Sequence, residues 1–154
     1  MHFTLTISIT RRTLSILFAA MAALMLLTFT LAPRLSQAQS APAPFEDKVV
    51  YHIDEPSMMP HALTNIANHL AVSPQAKISL VANGEAVVAM VRGDYSERIA
   101  QLQAKGVRFV SCNNSMRHFK IDPLTLTPGV VVVPAGVAEL SRLQVAEHYA
   151  YIKP

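Results

Sequence analysis

The chain is short of the residues that familiar active sites are built from. One cysteine among 154 residues excludes an intramolecular disulfide and any CxxC pair. Five glycines are present, and none of them forms GxGxxG or GxxxxGK[ST], so neither a dinucleotide fingerprint nor a phosphate-cradling loop is available. HExxH is missing too. His61 and His69 stand eight residues apart rather than four, so they do not make the adjacent-turn pair that grips zinc on one helix. They read instead as members of a solvated polar helix face. GxSxG is absent, which removes the nucleophile elbow of a serine hydrolase. These patterns lead to an expectation of no cofactor and no metal.

Acidic residues are absent from the first 45 positions, and this decides what the charge means. Thirteen Lys and Arg face ten Asp and Glu, a formal charge of +3. Arg11, Arg12 and Arg34 flank an apolar run from Leu14 to Leu31 with no ionisable side chain. The remaining ten cations then face ten anions, so the rest of the chain has no basic excess with which to neutralise phosphates, and no nucleic-acid partner is expected. Residues 1–38 have the parts of a secretory signal: a positive flank, an apolar stretch, and Ser36-Gln37-Ala38 as a small-x-small site. Cleavage after Ala38 is expected, with no membrane span left afterwards. The long apolar run keeps an uncleaved anchor as the rival. Thr10-Arg11-Arg12-Thr13-Leu14 also resembles a twin-arginine export signal, beside the ordinary secretory route. Both routes lead out of the cytoplasm, to the periplasm.

Gln39 to Glu46 reads as a tether, and residues 47–154 form one domain with one core. Lys48–Asp54, Lys77–Ala82, Val107–Ser111, Val130–Val133 and Tyr149–Ile152 are short and rich in β-branched or aromatic residues, as strands are. Their nearly unbroken apolar character suits strands covered on both faces of a mainly parallel sheet. Between them Met59, Ala62, Leu63, Ile66 and Leu70 recur at helical spacing, as do Tyr95, Ile99 and Leu102, and Val137, Leu140 and Leu143. Glu85 to Arg92 reads as a short helix, with a strand as the alternative. The fold class is α/β: an open, mainly parallel five-stranded sheet with helices on both faces.

In such sheets chemistry gathers at the carboxyl ends of the strands. That rule nominates Asp54 and Glu55, Asn83 and Gly84, Cys112 and Asn113, and Pro134 and Ala135. His52, inside an apolar strand, reads as a hydrogen-bonded core histidine rather than a ligand. Cys112 is the candidate nucleophile. A short helix starting at Asn113 would aim backbone N–H groups at its sulfur, and Arg117 and His118 stand one turn on, all favouring the thiolate. Asn113, Asn114, Arg117, His118, Asn83 and Asp54 are the candidate binding residues around it. The alternative is that Cys112 is a small buried hydrophobe.

The run Gly106-Val107-Arg108-Phe109-Val110-Ser111-Cys112-Asn113-Asn114-Ser115, then Ile121-Asp122-Pro123, then Pro134-Ala135-Gly136-Val137-Ala138-Glu139-Leu140 and the ending Tyr149-Ala150-Tyr151-Ile152-Lys153-Pro154 resemble the DsrE/DsrF-like family. The resemblance implies a small α/β domain that assembles into homo-trimers or hexamers. It also implies that the residue matching Cys112 accepts a persulfide sulfur and hands it to a partner. With no second cysteine, release would need a sulfur-carrier protein or a small thiol. The rival function is a non-catalytic oligomeric binding module with a packed cysteine.

Overall fold

A computed structural model describes residues 46–154 of the protein. The expected leader and nearly all of the expected tether lie outside the described residues. Five strands form one all-parallel sheet: β1 (Lys48–Ile53), β2 (Lys77–Ala82), β3 (Arg108–Cys112), β4 (Val131–Val133) and β5 (Ala150–Ile152), in the order β4-β3-β2-β1-β5. The helices are α1 (Met59–Val72), α2 (Ser96–Gln103), α3 (Asn113–His118) and α4 (Gly136–Glu147). Residues Gly84–Met90 form a 3-10 stretch, which resolves the helix-or-strand alternative for this segment in favour of a tight helix.

The chain walks outward from β1 to β4, and α4 then crosses back over the other face to set β5 beside β1. Strand residues alternate between faces. Val49, Tyr51, Ile53, Leu80 and Phe109 join the large core under α1, α2 and the 3-10 stretch. Val50, Val81 and Val110 point to the opposite face, where Leu140 and Leu143 of α4 cover them. The α1 stripe of Met59, Ala62, Leu63, Ile66 and Leu70 is buried throughout. Each large side chain in it contributes about 1.5–3 kcal/mol by leaving water.

Three expectations are corrected. The outer strands are not covered on both faces: Val131 and Val132 of β4 and Tyr151 of β5 remain about two-fifths exposed. Both strands lie at sheet edges, and an apolar run looks the same in a central strand as at an edge. The α4 stripe is Gly136, Glu139, Leu140 and Leu143, while Val137 is exposed. An acid takes a core-facing position because two guanidinium groups meet it there: Arg108 Nη1 at 2.6 Å, and Arg142 Nε and Nη2 at 2.8 and 2.9 Å. His69 leaves the solvated helix face for a half-buried chain, with Tyr51 Oη 3.0 Å from Nδ1 and Asp47 Oδ2 2.9 Å from Nε2. His61 alone of that pair stays exposed.

Candidate functional site

Cys112 is the last residue of β3, paired with Val133 of β4, rather than the first residue after the strand. By the alternation of the strand its Cβ starts on the α4 face with Val110, beside Gly136, while the residue also packs into the larger core. Its backbone is still extended, and the next residue starts α3. A thiol at that junction has the first N–H groups of α3 in front of it, groups that have no partner within the helix.

Cys112 is 5% exposed, and burial alone pushes a thiol pKa up. Against that stand the hydroxyl of Ser115 and the backbone N–H groups of Gly136, Ser115 and Asn114, which together hold the Cys112 thiol below its ordinary value of 9.0. Two of these N–H groups open α3, and the third opens α4. The thiol therefore lies where two helices begin.

Ser115 is oriented for its part. The Gly84 N–H donates to Ser115 Oγ at 2.9 Å, which leaves the single hydroxyl hydrogen of Ser115 free to point at sulfur. Gly84 has a left-handed φ of +54°, and a β-carbon there would lie 2.9 Å from the Asp54 carbonyl oxygen. Only glycine brings the N–H to that place without strain. Gly136 is required for a different reason. A β-carbon on it would stand 3.1 Å from the Cβ atoms of both Cys112 and Asn83, so the absence of a side chain is what lets the start of α4 reach the thiol.

The other nominated residues divide. Asn83 flanks Gly136 from β2 and accepts a hydrogen bond from His52. Asn114 lends its N–H to sulfur, and its Oδ1 accepts from Arg117 Nη2 at 2.7 Å. Asn113 is the first residue of α3. Arg117 and His118 occupy the last turn of α3, more than a turn from the thiol, and His118 packs edge-on against Phe119. The positive end of the site is thus made by backbone N–H groups and a hydroxyl. The Asp54 carboxylate is engaged by Lys153 at 2.7 Å, and that contact holds its pKa below the usual range. Glu55 is exposed, and Pro134 and Ala135 lead into α4. Sequence reasoning missed Ser115 and Gly136. Ser115 was legible as the third residue of a helix that starts just after the cysteine. Gly136 stands twenty-four positions beyond Cys112 and meets it only through the return of α4.

His52 is hydrogen-bonded as expected but stands half-exposed at the edge of the α4 cover. Among the described residues no three His, Cys, Asp or Glu side chains gather as a metal site would require. No helix among them is long and apolar enough to cross a membrane.

The family model of the DsrE/DsrF-like family matches residues 48–154, which is the whole of the sheet and its helices. The chain belongs to the DsrE/DsrF-like family. The solved structure of MTH1491 from Methanobacterium thermoautotrophicum, described as a protein of unknown function, is 36% identical. The match covers 71% of this chain and 100% of that one, with a TM-score of 0.67. The ychN protein from E. coli is similar at 17% identity, covering 71% and 100% of the two chains, with a TM-score of 0.58. BT1422 from Bacteroides thetaiotaomicron, also of unknown function, is similar at 13% identity, covering 70% and 95%, with a TM-score of 0.56. At such identities the last two bear on the fold alone. No curated protein matches the chain. Within this DsrE/DsrF-like domain, Cys112 closes the third strand and Gly136 opens the returning helix.

Proposed function

We propose that the protein is an exported sulfur-handling module in which Cys112 holds a persulfide and passes sulfur to a partner thiol. The observation that supports this most strongly is the set of donors on a lone thiol: Ser115 hydroxyl and the N–H groups of Gly136, Ser115 and Asn114. A structural cysteine needs none of them, whereas a nucleophile or leaving group that must bear negative charge needs all of them. Membership of the family supports the same reading.

The chemistry balances without an oxidant. Cys112 thiolate attacks the sulfane sulfur of a donor R–S–SH. An Sγ–S bond forms as the donor S–S bond breaks, R–S⁻ leaves, and Cys112 becomes Cys–S–SH. An acceptor thiolate then attacks the outer sulfur, takes it as its own persulfide, and restores the Cys112 thiolate. With no second cysteine the acceptor is a separate molecule, a sulfur-carrier protein or a small thiol. The location we propose is the periplasm, supported by the charge and apolar pattern of residues 1–38. We also propose self-association at the β4 edge, where Val131 and Val132 are exposed.

The test is intact mass after exposure of the purified protein to inorganic polysulfide. The expected result is a gain of about 32 Da on the wild type and none on Cys112→Ser, the mass of one added sulfur on a thiol. An unmodified wild type overturns the reading. A second reading, a binding module with a packed cysteine, draws on the near-complete burial of Cys112. It predicts a thiol inert to both polysulfide and alkylating agents.

A further inference from the structure

The polar row on the α4 face continues past the thiol. His52 lies on β1, Asn83 just beyond β2 and Cys112 on β3, so in the order β3-β2-β1-β5 Asn83 stands between the other two. Tyr151 of β5 pairs in register with Val50 and shares its face. His52 engages both ring nitrogens: Nε2 with Asn83 Oδ1 at 2.9 Å, and Nδ1 with the Tyr151 hydroxyl at 2.7 Å. A carboxamide oxygen only accepts, so Nε2 bears the hydrogen. In the tautomer with its hydrogen on Nε2, Nδ1 carries the lone pair, and the Tyr151 O–H donates to it. The chain of bonds therefore runs in one direction, from Tyr151 through His52 to Asn83.

Its consequence falls on the Asn83 amide. With Oδ1 turned to β1, the NH2 group is turned away from β1, and β3, which bears Cys112, is the strand on the other side of β2. Asn83 and Cys112 both flank Gly136, with the Cβ of each 3.1 Å from where a Gly136 side chain would begin. Sγ itself is met by Ser115, Gly136 and Asn114. The Asn83 amide is left for the next atom out, about 2.05 Å beyond Sγ along an S–S bond.

We infer that His52 and Tyr151 are positioning residues that aim the Asn83 amide at the outer sulfur of a persulfide on Cys112. The inference rests on the sulfur-carrying reading and extends it from the first sulfur to the second. The outer sulfur is the atom an acceptor attacks, so the group that holds it governs loading rather than the acidity of the thiol. A hydrogen bond to an anionic sulfur corresponds to about a tenfold effect on its occupancy.

The test measures two quantities on the purified full chain: the polysulfide concentration that half-loads Cys112, by intact mass, and the pH midpoint of Cys112 alkylation by iodoacetamide. Asn83→Ala and His52→Leu are expected to raise the half-loading concentration about tenfold and leave the alkylation midpoint in place. His52→Gln keeps an N–H where Nε2 stood and is expected to recover most of the loading. Tyr151→Phe is expected to lose less, about threefold, because the ring keeps its bond to Asn83. The double variant Asn83→Ala/His52→Leu should load no worse than Asn83→Ala alone. If His52→Leu fails to fold, Asn83→Ala and His52→Gln still decide the matter. Wild-type loading with Asn83→Ala unimpaired, or with His52→Gln no better than His52→Leu, overturns the inference and leaves the sulfur-carrying reading intact. A wild type that takes up no sulfur overturns both.

Discussion

At Cys112 two opposing effects meet on one sulfur atom. Burial favours the neutral thiol, while a hydroxyl and three backbone N–H groups favour the thiolate and prevail. Ser115 is the one side chain among these donors, and its hydroxyl is oriented by the Gly84 N–H. Ser115→Ala removes that donor and keeps the Ser115 N–H. The alkylation midpoint of Cys112 should then rise, by about half to one pH unit for the loss of one hydrogen bond worth about 1 kcal/mol. A rate-versus-pH profile with iodoacetamide reads it, and an unmoved midpoint would mean that Ser115 does not touch the thiolate. Part of this site was legible without coordinates. A cysteine between an apolar strand and a short helix announces its own N–H donors through local geometry. What local geometry could not show is Gly136, which reaches the thiol only because α4 returns across the sheet. The cations Arg117 and His118 looked close in sequence, but a helix carries them a turn further on.

Among the elements, α4 has the most to hold in place, since its first N–H faces the thiol and, among the described residues, its underside covers Val50, Val81 and Val110. Glu139 fixes it to the sheet. Its carboxylate accepts from Arg142 within the helix and Arg108 from β3, and against the opposing effect of its burial these cations bring its pKa from 4.5 down to about 2. A depressed carboxylate stabilises the fold fully above the unfolded value and loses that contribution as pH falls through the folded one. Glu139→Gln should therefore destabilise by about 2 kcal/mol at neutral pH, a figure kept low because both arginines are partly exposed. The difference from wild type should shrink between pH 4.5 and about 2. Thermal melts at pH 7 and pH 3 measure this, and an equal deficit at both contradicts the role. The helix stripes of α1 and α2 were readable because burial there follows the 3.6-residue period. The α4 stripe was misread at Val137 because an apolar residue was preferred to an acid whose partners lie elsewhere in the chain.

For the whole molecule, a single sheet of five parallel strands ends in two short edges, and the β4 edge is apolar. Val131 and Val132 read as buried in the sequence because hydrophobicity reports that a residue is to be covered and not by which chain. A second copy is the cover we propose. Light scattering on the eluting protein should return a multiple of the chain mass, and Val132→Lys should lower it, as a charge on an edge strand opposes pairing. A monomeric wild type contradicts that assignment. Taken as a whole, this fold turns a buried, solitary thiol into one that can bear charge. The most direct measurement is the pH titration of Cys112 in the intact protein, followed by thiolate absorbance or alkylation rate. The expected midpoint lies below 9.0, and a midpoint at or above 9.0 would mean that the donors do not outweigh burial.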